Sequence, residues 1–277
     1  MLHNEFMSPV FYILFYPIVF FYGICIGSFL NVVIFRLPKN ESLIKRSSHC
    51  MTCGEKIRIR DLVPIFSWLF LKGKCRKCGE KISPRYPIVE ALNGIVYIIT
   101  FTVLDFNVHS ILCCIFFSVL ICIGFMDWDT MEIDPWLLLI IALLAVPDFF
   151  FYKEITLVSR LIGLVCISVP FFLIGEISGA VIKKRTGEKV RGIELGDTVL
   201  MAACGLMIGW KAVVASAFFG IAIAAVVGLI NKFRSGESKF AFGPYLAIGL
   251  FFGTLFGDML VDWYIGLLTY DPYAQLQ

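Results

Sequence analysis

The chain has 277 residues, of which 59% are hydrophobic and only 16% charged, and its mean hydropathy is +0.85. Soluble globular proteins carry about a quarter charged residues to cover a water-facing surface, so this composition excludes soluble enzymes, disordered tails and secreted disulfide scaffolds and points to an all-α polytopic membrane protein. The net charge of +3 matters less than where the basic residues fall.

A helix needs about 20 mainly apolar residues to cross the hydrocarbon core. Such runs lie near 10–35, 87–105, 109–126, 135–151, 156–182, 197–210, 211–230 and 240–268, an expectation of about eight transmembrane helices. The break between the sixth and seventh is marked only by Gly209-Trp210-Lys211. The first run is expected to persist as a span, because it lacks a basic start and continues past any small-residue cleavage site. Residues 36–85 then hold 13 of the 24 Lys and Arg against four acids. Basic loops stay cytoplasmic, which puts this loop inside and the N-terminus outside. Alternation places 183–196 inside with Lys183, Lys184, Arg185, Lys189 and Arg191, and 231–239 inside with Lys232, Arg234 and Lys239. The outer side keeps only Lys153, Arg160 and Lys211.

The basic loop contains Cys50-Met-Thr-Cys53-Gly-Glu-Lys-Ile and again Cys75-Arg-Lys-Cys78-Gly-Glu-Lys-Ile. Two such knuckles place four thiolates around one Zn²⁺, and the glycine lets backbone N–H groups turn toward sulfur. Flanking Lys and Arg favour the thiolate. The alternative is a pair of disulfides or idle thiols. A cytoplasmic position opposes the first, and idle thiols have no reason to repeat an eight-residue pattern. A closed Cys₄ site is structural, and a loop with few apolar residues would draw its fold from the metal. Cys25, Cys113, Cys114, Cys122, Cys166 and Cys204 lie in apolar runs and read as small packing or lipid-facing side chains.

At the inner end of the third run stands Gly124-Phe-Met-Asp127-Trp-Asp129-Thr-Met-Glu132-Ile-Asp134-Pro135, and at the inner start of the sixth Arg191-Gly-Ile-Glu194-Leu-Gly196-Asp197. The topology puts both on one face. An acid at the edge of hydrocarbon is expensive and a functional candidate. Two carboxylates at hydrogen-bond range share a proton, so that one can deprotonate a water while the other polarises a carbonyl, the chemistry of aspartic proteases. The pattern leaves open whether the two groups meet or are solvated loop acids. A proton relay using Glu90, Asp148, Glu176, Asp258 or Asp262 is the other reading.

Further motifs complete the pattern: Gly27-Ser-Phe-Leu-Asn31-Val-Val-Ile-Phe-Arg36-Leu-Pro38, Ser83-Pro-Arg-Tyr-Pro87-Ile-Val-Glu90-Ala-Leu-Asn-Gly94, and Phe240-Ala-Phe-Gly243-Pro244-Tyr-Leu-Ala247-Ile-Gly249. With the twin C-x-x-C loop, the Asp127 segment and Gly196-Asp197 in one order over about 25–270, the chain resembles the bacterial type IV prepilin leader peptidases. That resemblance implies a G-x-G-D-type membrane aspartic endopeptidase of the bacterial cytoplasmic membrane, cleaving prepilins and pseudopilins after glycine at the cytoplasmic face. By position the catalytic aspartates are Asp127 and Asp197, with Asp129 a near neighbour. Many members also methylate the new N-terminal amine with S-adenosylmethionine, a function associated with the loop holding Cys50, Cys53, Cys75 and Cys78.

The expected organisation is a first transmembrane helix (1–35), a cytoplasmic tetracysteine domain (36–86) and a seven-helix membrane peptidase domain (87–270). Substrates would present a hydrophobic N-terminal helix from the bilayer, and no nucleic-acid partner is expected. Three departures bear on the resemblance: Glu194 replaces the first glycine of G-x-G-D, Val199 replaces a lysine, and a Pro-Asp pair is reversed as Asp134-Pro135. Glu132, Asp134 and Glu194 are placed to attract the basic leader. Asn31 and Glu90 either bond between helices or position substrate or methyl donor. No G-x-G-x-x-G follows a strand, so residues for the donor stay unassigned. The other readings are a peptidase without methylation and a non-enzymatic, zinc-stabilised transporter or assembly protein.

Overall fold

The computed structural model describes residues 9–45, 47–187, 191–235 and 241–269; Lys189, Lys239 and Phe240 lie outside the described residues. The helices are α1 (Pro9–Arg36), the short α2 (Phe66–Phe70), α3 (Arg85–Val103), α4 (Val108–Thr130), α5 (Pro135–Phe151), α6 (Leu157–Cys166), α7 (Ser168–Thr186), α8 (Leu195–Ser235) and α9 (Gly243–Thr269). No strand occurs among the described residues. Six helical stretches are long and apolar enough to cross a membrane, with α6 and α7 counted as one, and α5 is a shorter apolar helix. Eight is reached only by adding α5 and counting α8 twice. The boundary expected at Gly209 is where α8 loses helical geometry, at φ 79 and ψ 175. Large apolar side chains such as Phe21, Leu139 and Phe151 face outward, as suits lipid rather than water.

The chain divides into two compact units, Met1–Cys122 and Ile123–Gln277. In the first, α1 and α3 approach through Gly23 and Gly94: a Cβ at Gly23 would lie 2.6 Å from the Gly94 Cα. Asn93 donates to the Gly23 carbonyl at 2.7 Å and accepts from Ser118 at 2.8 Å. Asn31 donates to the Tyr86 carbonyl at 3.1 Å, the interhelical bond considered for it from the sequence.

In the second unit, α8 and α9 pack through small residues one turn apart. A Cβ at Gly249 would lie 2.8 Å from the Gly220 Cα, and one at Gly257 2.8 Å from the Ala212 Cα. Close backbone approach of this kind replaces the hydrophobic drive that lipid cannot supply. The break at Gly209 leaves carbonyls without helical partners. Arg160 meets them, its Nη1 donating to Leu206 O at 3.2 Å and Met207 O at 2.8 Å. Its Nη2 pairs with Asp148 Oδ2 at 2.6 Å, with the two side chains 1% and 0% exposed. Arg160, expected at the outer surface, is therefore an interior residue.

Three of the five competing acids are taken up by ion pairs. Asp148 is held by Arg160, Glu176 pairs with Arg191, and Asp262 with Lys211. Removing one partner of a buried pair strands the other charge, at a cost of about 3–5 kcal/mol. Asp148→Ala should therefore lower unfolding stability in detergent by that amount, whereas Asp262→Ala, at an exposed pair, should shift it by less than about 1 kcal/mol.

Candidate active site and metal centre

The two knuckles of the first unit repeat in structure as in sequence. Cys50 N–H donates to Glu55 O at 2.9 Å and Gly54 N–H to Cys50 O at 2.9 Å; Cys75 and Gly79 make the equivalent bonds at 2.8 and 2.9 Å. Each turn closes on a left-handed glycine, Gly54 at φ 68 and Gly79 at φ 75. The four sulfurs of Cys50, Cys53, Cys75 and Cys78 lie within 4.8 Å of one another, and those of Cys50 and Cys78 are 3.8 Å apart. Tetrahedral Zn–S bonds of about 2.3 Å set neighbouring sulfurs about 3.8 Å apart, so the donor set fits such an ion.

Salt bridges clip the knuckles together. Lys77 pairs with Glu55, and Arg76 takes Asp61 in a bidentate grip, with Nη2–Oδ1 at 2.6 Å and Nε–Oδ2 at 2.9 Å. These bonds hold both carboxyls below their usual range. Backbone N–H groups of Cys53 and Thr52 lower the Cys50 thiol to about 6. At Cys78 the Glu80 N–H lowers the value, but desolvation and bonds to Cys75, Cys53 and Cys50 together raise it to about 12. Cys50 is thereby held toward the thiolate, the form in which sulfur binds a thiophilic metal.

In the second unit Asp127 occupies the last turn of α4 and Asp197 the first turn of α8, each 5% exposed. After Asp127 the helix ends on left-handed Met131, whose N–H returns to the Asp127 carbonyl at 2.8 Å. The Asp127 Oδ2 accepts the N–H of Gly243 at 2.8 Å. Gly243 opens α9, so a free N–H at a helix start meets a carboxylate, a favourable pairing of charge and dipole. A Cβ there would sit 2.9 Å from the same oxygen, which restricts the position to glycine.

The segment before Asp197 is anchored on both sides. Gly192 N–H donates to Ser178 Oγ at 3.0 Å, Arg191 pairs with Glu176 on α7, and a Cβ at Gly196 would lie 3.2 Å from that of Ile133. Asp127, Asp197 and Glu194 consequently fall within electrostatic reach of one another. Asp129, two residues on and so on the far side of the helix, is exposed, as are Glu132, Glu194 and Val199. Asp134 caps α5, its Oδ1 accepting Trp136 N–H at 2.8 Å, with Pro135 in the first turn. The reversed Asp-Pro order is therefore a helix start. The Gly243 donor escaped the sequence because a backbone N–H leaves no side-chain signature.

Two family models match the chain: the bacterial peptidase A24 N-terminal domain over residues 21–104 and the type IV leader peptidase family over 114–229. A prepilin leader peptidase/N-methyltransferase of Aeromonas hydrophila is 30% identical, across 91% of this chain and 94% of its own length. A type 4 prepilin-like proteins leader peptide-processing enzyme of Escherichia coli O78:H11 is 30% identical across 82% and 88%. A prepilin leader peptidase/N-methyltransferase of Bacillus subtilis is 29% identical across 90% and 97%. No solved structure matches. The cluster geometry predicts about one thiol-bound metal per chain, measurable by elemental analysis of protein purified without added metal. Cys53→Ser with Cys75→Ser should remove it.

Proposed function

The chain belongs to the type IV leader peptidase family, and on that premise we propose that it is a membrane aspartic endopeptidase that cuts the basic leader from prepilins and pseudopilins, with Asp127 and Asp197 as its catalytic carboxylates. The observation that carries this reading is the burial of two acids from helix ends about 70 positions apart within electrostatic reach of each other, one tied to a backbone donor.

Two such groups ionise together only at high cost, so they share one proton. The ionised member removes a proton from water, and the hydroxide oxygen bonds to the scissile carbonyl carbon. The protonated member gives its proton to the carbonyl oxygen, forming a neutral tetrahedral diol. Collapse of the diol breaks the C–N bond as the leaving nitrogen takes a proton from the dyad, and the dyad recovers one from the diol. Gly243 N–H, bonded to Asp127 Oδ2, would hold that carboxylate in one orientation.

Cleavage after glycine is what the resemblance implies, and the basic loops favour a topology with the N-terminus outside and the candidate aspartates at the cytoplasmic face. The substrate would enter as an apolar helix, its basic leader drawn to Glu132 and Glu194, both exposed; Asp134 is occupied as a helix cap and contributes less. The Cys₄ cluster would hold a structural Zn²⁺, since a closed set of four thiolates leaves no open position for chemistry. The A. hydrophila and B. subtilis relatives are named N-methyltransferases as well as peptidases, which supports methylation of the new N-terminal amine, with S-adenosylmethionine as the donor that the resemblance implies. Such a donor would supply an electrophilic methyl group to the free amine.

Cleavage of a prepilin by purified protein in detergent tests the assignment. Asp127→Asn and Asp197→Asn should each abolish cleavage with folding intact, while Asp129→Asn should retain it; retained cleavage in either of the first two would remove that residue from the mechanism. Gly243→Ala should lower kcat about 100-fold, the usual result of displacing a catalytic group by about 1 Å. Glu132→Gln with Glu194→Gln should raise KM and leave the dyad competent, and an unchanged KM would dismiss the electrostatic role.

A further inference from the structure

Between its two cysteine knuckles the basic loop carries an apolar stretch, Leu62-Val-Pro-Ile-Phe-Ser-Trp-Leu-Phe-Leu71, which contains α2. Its side chains divide by face. Ser67, Trp68 and Leu71 line the cavity that the loop forms with α1 and α3, and Trp68 Nε1 donates to Ile82 O at 3.1 Å. Phe66, Leu69 and Phe70, spaced at i, i+3 and i+4, do not line it and are 48%, 58% and 85% exposed. Three large apolar side chains grouped on the outside of a polar loop mark an interaction surface.

The height of this patch follows from α3. That helix has 19 residues, about 28 Å at 1.5 Å per residue, against a hydrocarbon thickness of about 30 Å. It crosses only if its first residue, Arg85, stands at the hydrocarbon edge, which puts Glu90 about 7.5 Å further in. Glu90 is 8% exposed, and its Oε2 accepts the Ile65 N–H at 2.7 Å. Side chains lean toward a helix N-terminus, so Ile65 lies beside the first turns of α3 and not beyond them. After α2 the chain is tied again, Ile82 N–H donating to Gly73 O at 2.7 Å. The loop thus dips to the membrane boundary at α2 and is pinned there on both sides.

The backbone suits that level. Ser67, Leu69, Leu71 and Gly73 N–H donate to the carbonyls of Val63, Ile65, Ser67 and Trp68 at 2.8–3.1 Å, so the segment satisfies these donors itself, as the edge of hydrocarbon requires. Ile65 keeps φ 60 and ψ −55, a costly conformation for a β-branched residue. Strain of this kind persists where surrounding contacts impose it, and the Glu90 bond is such a contact. Exposed Arg60 and Lys72 stand at either end of the stretch, where long basic side chains can reach headgroup phosphates beside an apolar anchor.

We propose that α2 is an interfacial membrane anchor: Phe66, Leu69 and Phe70 insert among the acyl chains next to α3, and the partner of the patch is the lipid bilayer. The knuckles of Cys50 and Cys75, which flank α2 in the chain, are thereby tethered at the membrane surface. This depends on α1 and α3 spanning the membrane and on no catalytic assignment.

The test is photo-crosslinking of the full-length protein in phosphatidylcholine vesicles, with p-benzoylphenylalanine in place of Phe66, of Phe70, or of Met51 in the first knuckle. Illumination should attach lipid, read as an added mass, at Phe66 and Phe70 and not at Met51. No lipid adduct at Phe66 and Phe70, or equal labelling at Met51, overturns the anchor. A crosslinked dimer from Phe70 in place of a lipid adduct makes the face a contact between copies and equally overturns it. Phe70→Glu gives an independent readout without the bulky probe, since it leaves the Ile65 and Trp68 bonds in place. It should speed trypsin cleavage after Lys72 in the same vesicles about tenfold, because the segment must leave the lipid to be cut. A rate equal to that of wild type overturns the anchor, as a side chain already in water tolerates the charge.

Discussion

A break in a helix leaves carbonyls without partners, and where the break is buried no water solvates them. Gly209 makes such a break in α8, and the Arg160 guanidinium answers it by donating to Leu206 and Met207. A buried guanidinium alone would cost more than the break it mends, and Asp148 removes that cost by pairing with it. The three elements α5, α6 and α8 are thereby joined at one point. The first half of α8 then runs about 21 Å from this lock to its start at 1.5 Å per residue, where Asp197 stands. The far end of the helix bearing one candidate catalytic acid is thus held by charge rather than by apolar packing alone.

A related economy governs the acid cluster. Asp127 and Asp197 are buried at helix ends, where partial charges of unpaired backbone groups are available. Gly243 meets Asp127 with a main-chain N–H rather than with a lysine or arginine. A neutral donor orients the carboxylate without cancelling its charge, so the group can still exchange protons with its neighbour. An arginine in its place would have produced another Asp148: an ion pair fit for holding helices and unfit for moving protons. The difference between these two aspartates, both buried, is the difference between a structural use of the side chain and the chemical use proposed for it.

Much of this was legible in the residues themselves. The helical membrane class follows from composition, and the knuckles from an eight-residue repeat whose two copies superimpose their hydrogen bonds. The break at Gly209 was marked by one glycine beside a tryptophan and a lysine. Other features had no signature. Arg160 reads as a flanking cation in any hydropathy scheme, because its pairing with Asp148 depends on the path of the chain between them. The Asp134-Pro135 order looked like a departure from a family pattern until the cap on Trp136 accounted for it. The role of Gly243 was invisible because main-chain donors are common to every residue and only position gives them meaning.

The sequence by itself determined that the chain crosses a membrane, that four cysteines form one set, and that a small number of acids stand where acids are costly. Those conclusions rest on burial and spacing, which are local properties. The tertiary structure decided which acids are used up by ion pairs, which of Asp127 and Asp129 is buried, and that Asp127 and Asp197 share one neighbourhood. It also decided that Glu90 is buried against the Ile65 N–H. Each of these depends on contacts between residues far apart in the chain, and the electrostatic character of a carboxylate is set by those neighbours rather than by the residue itself.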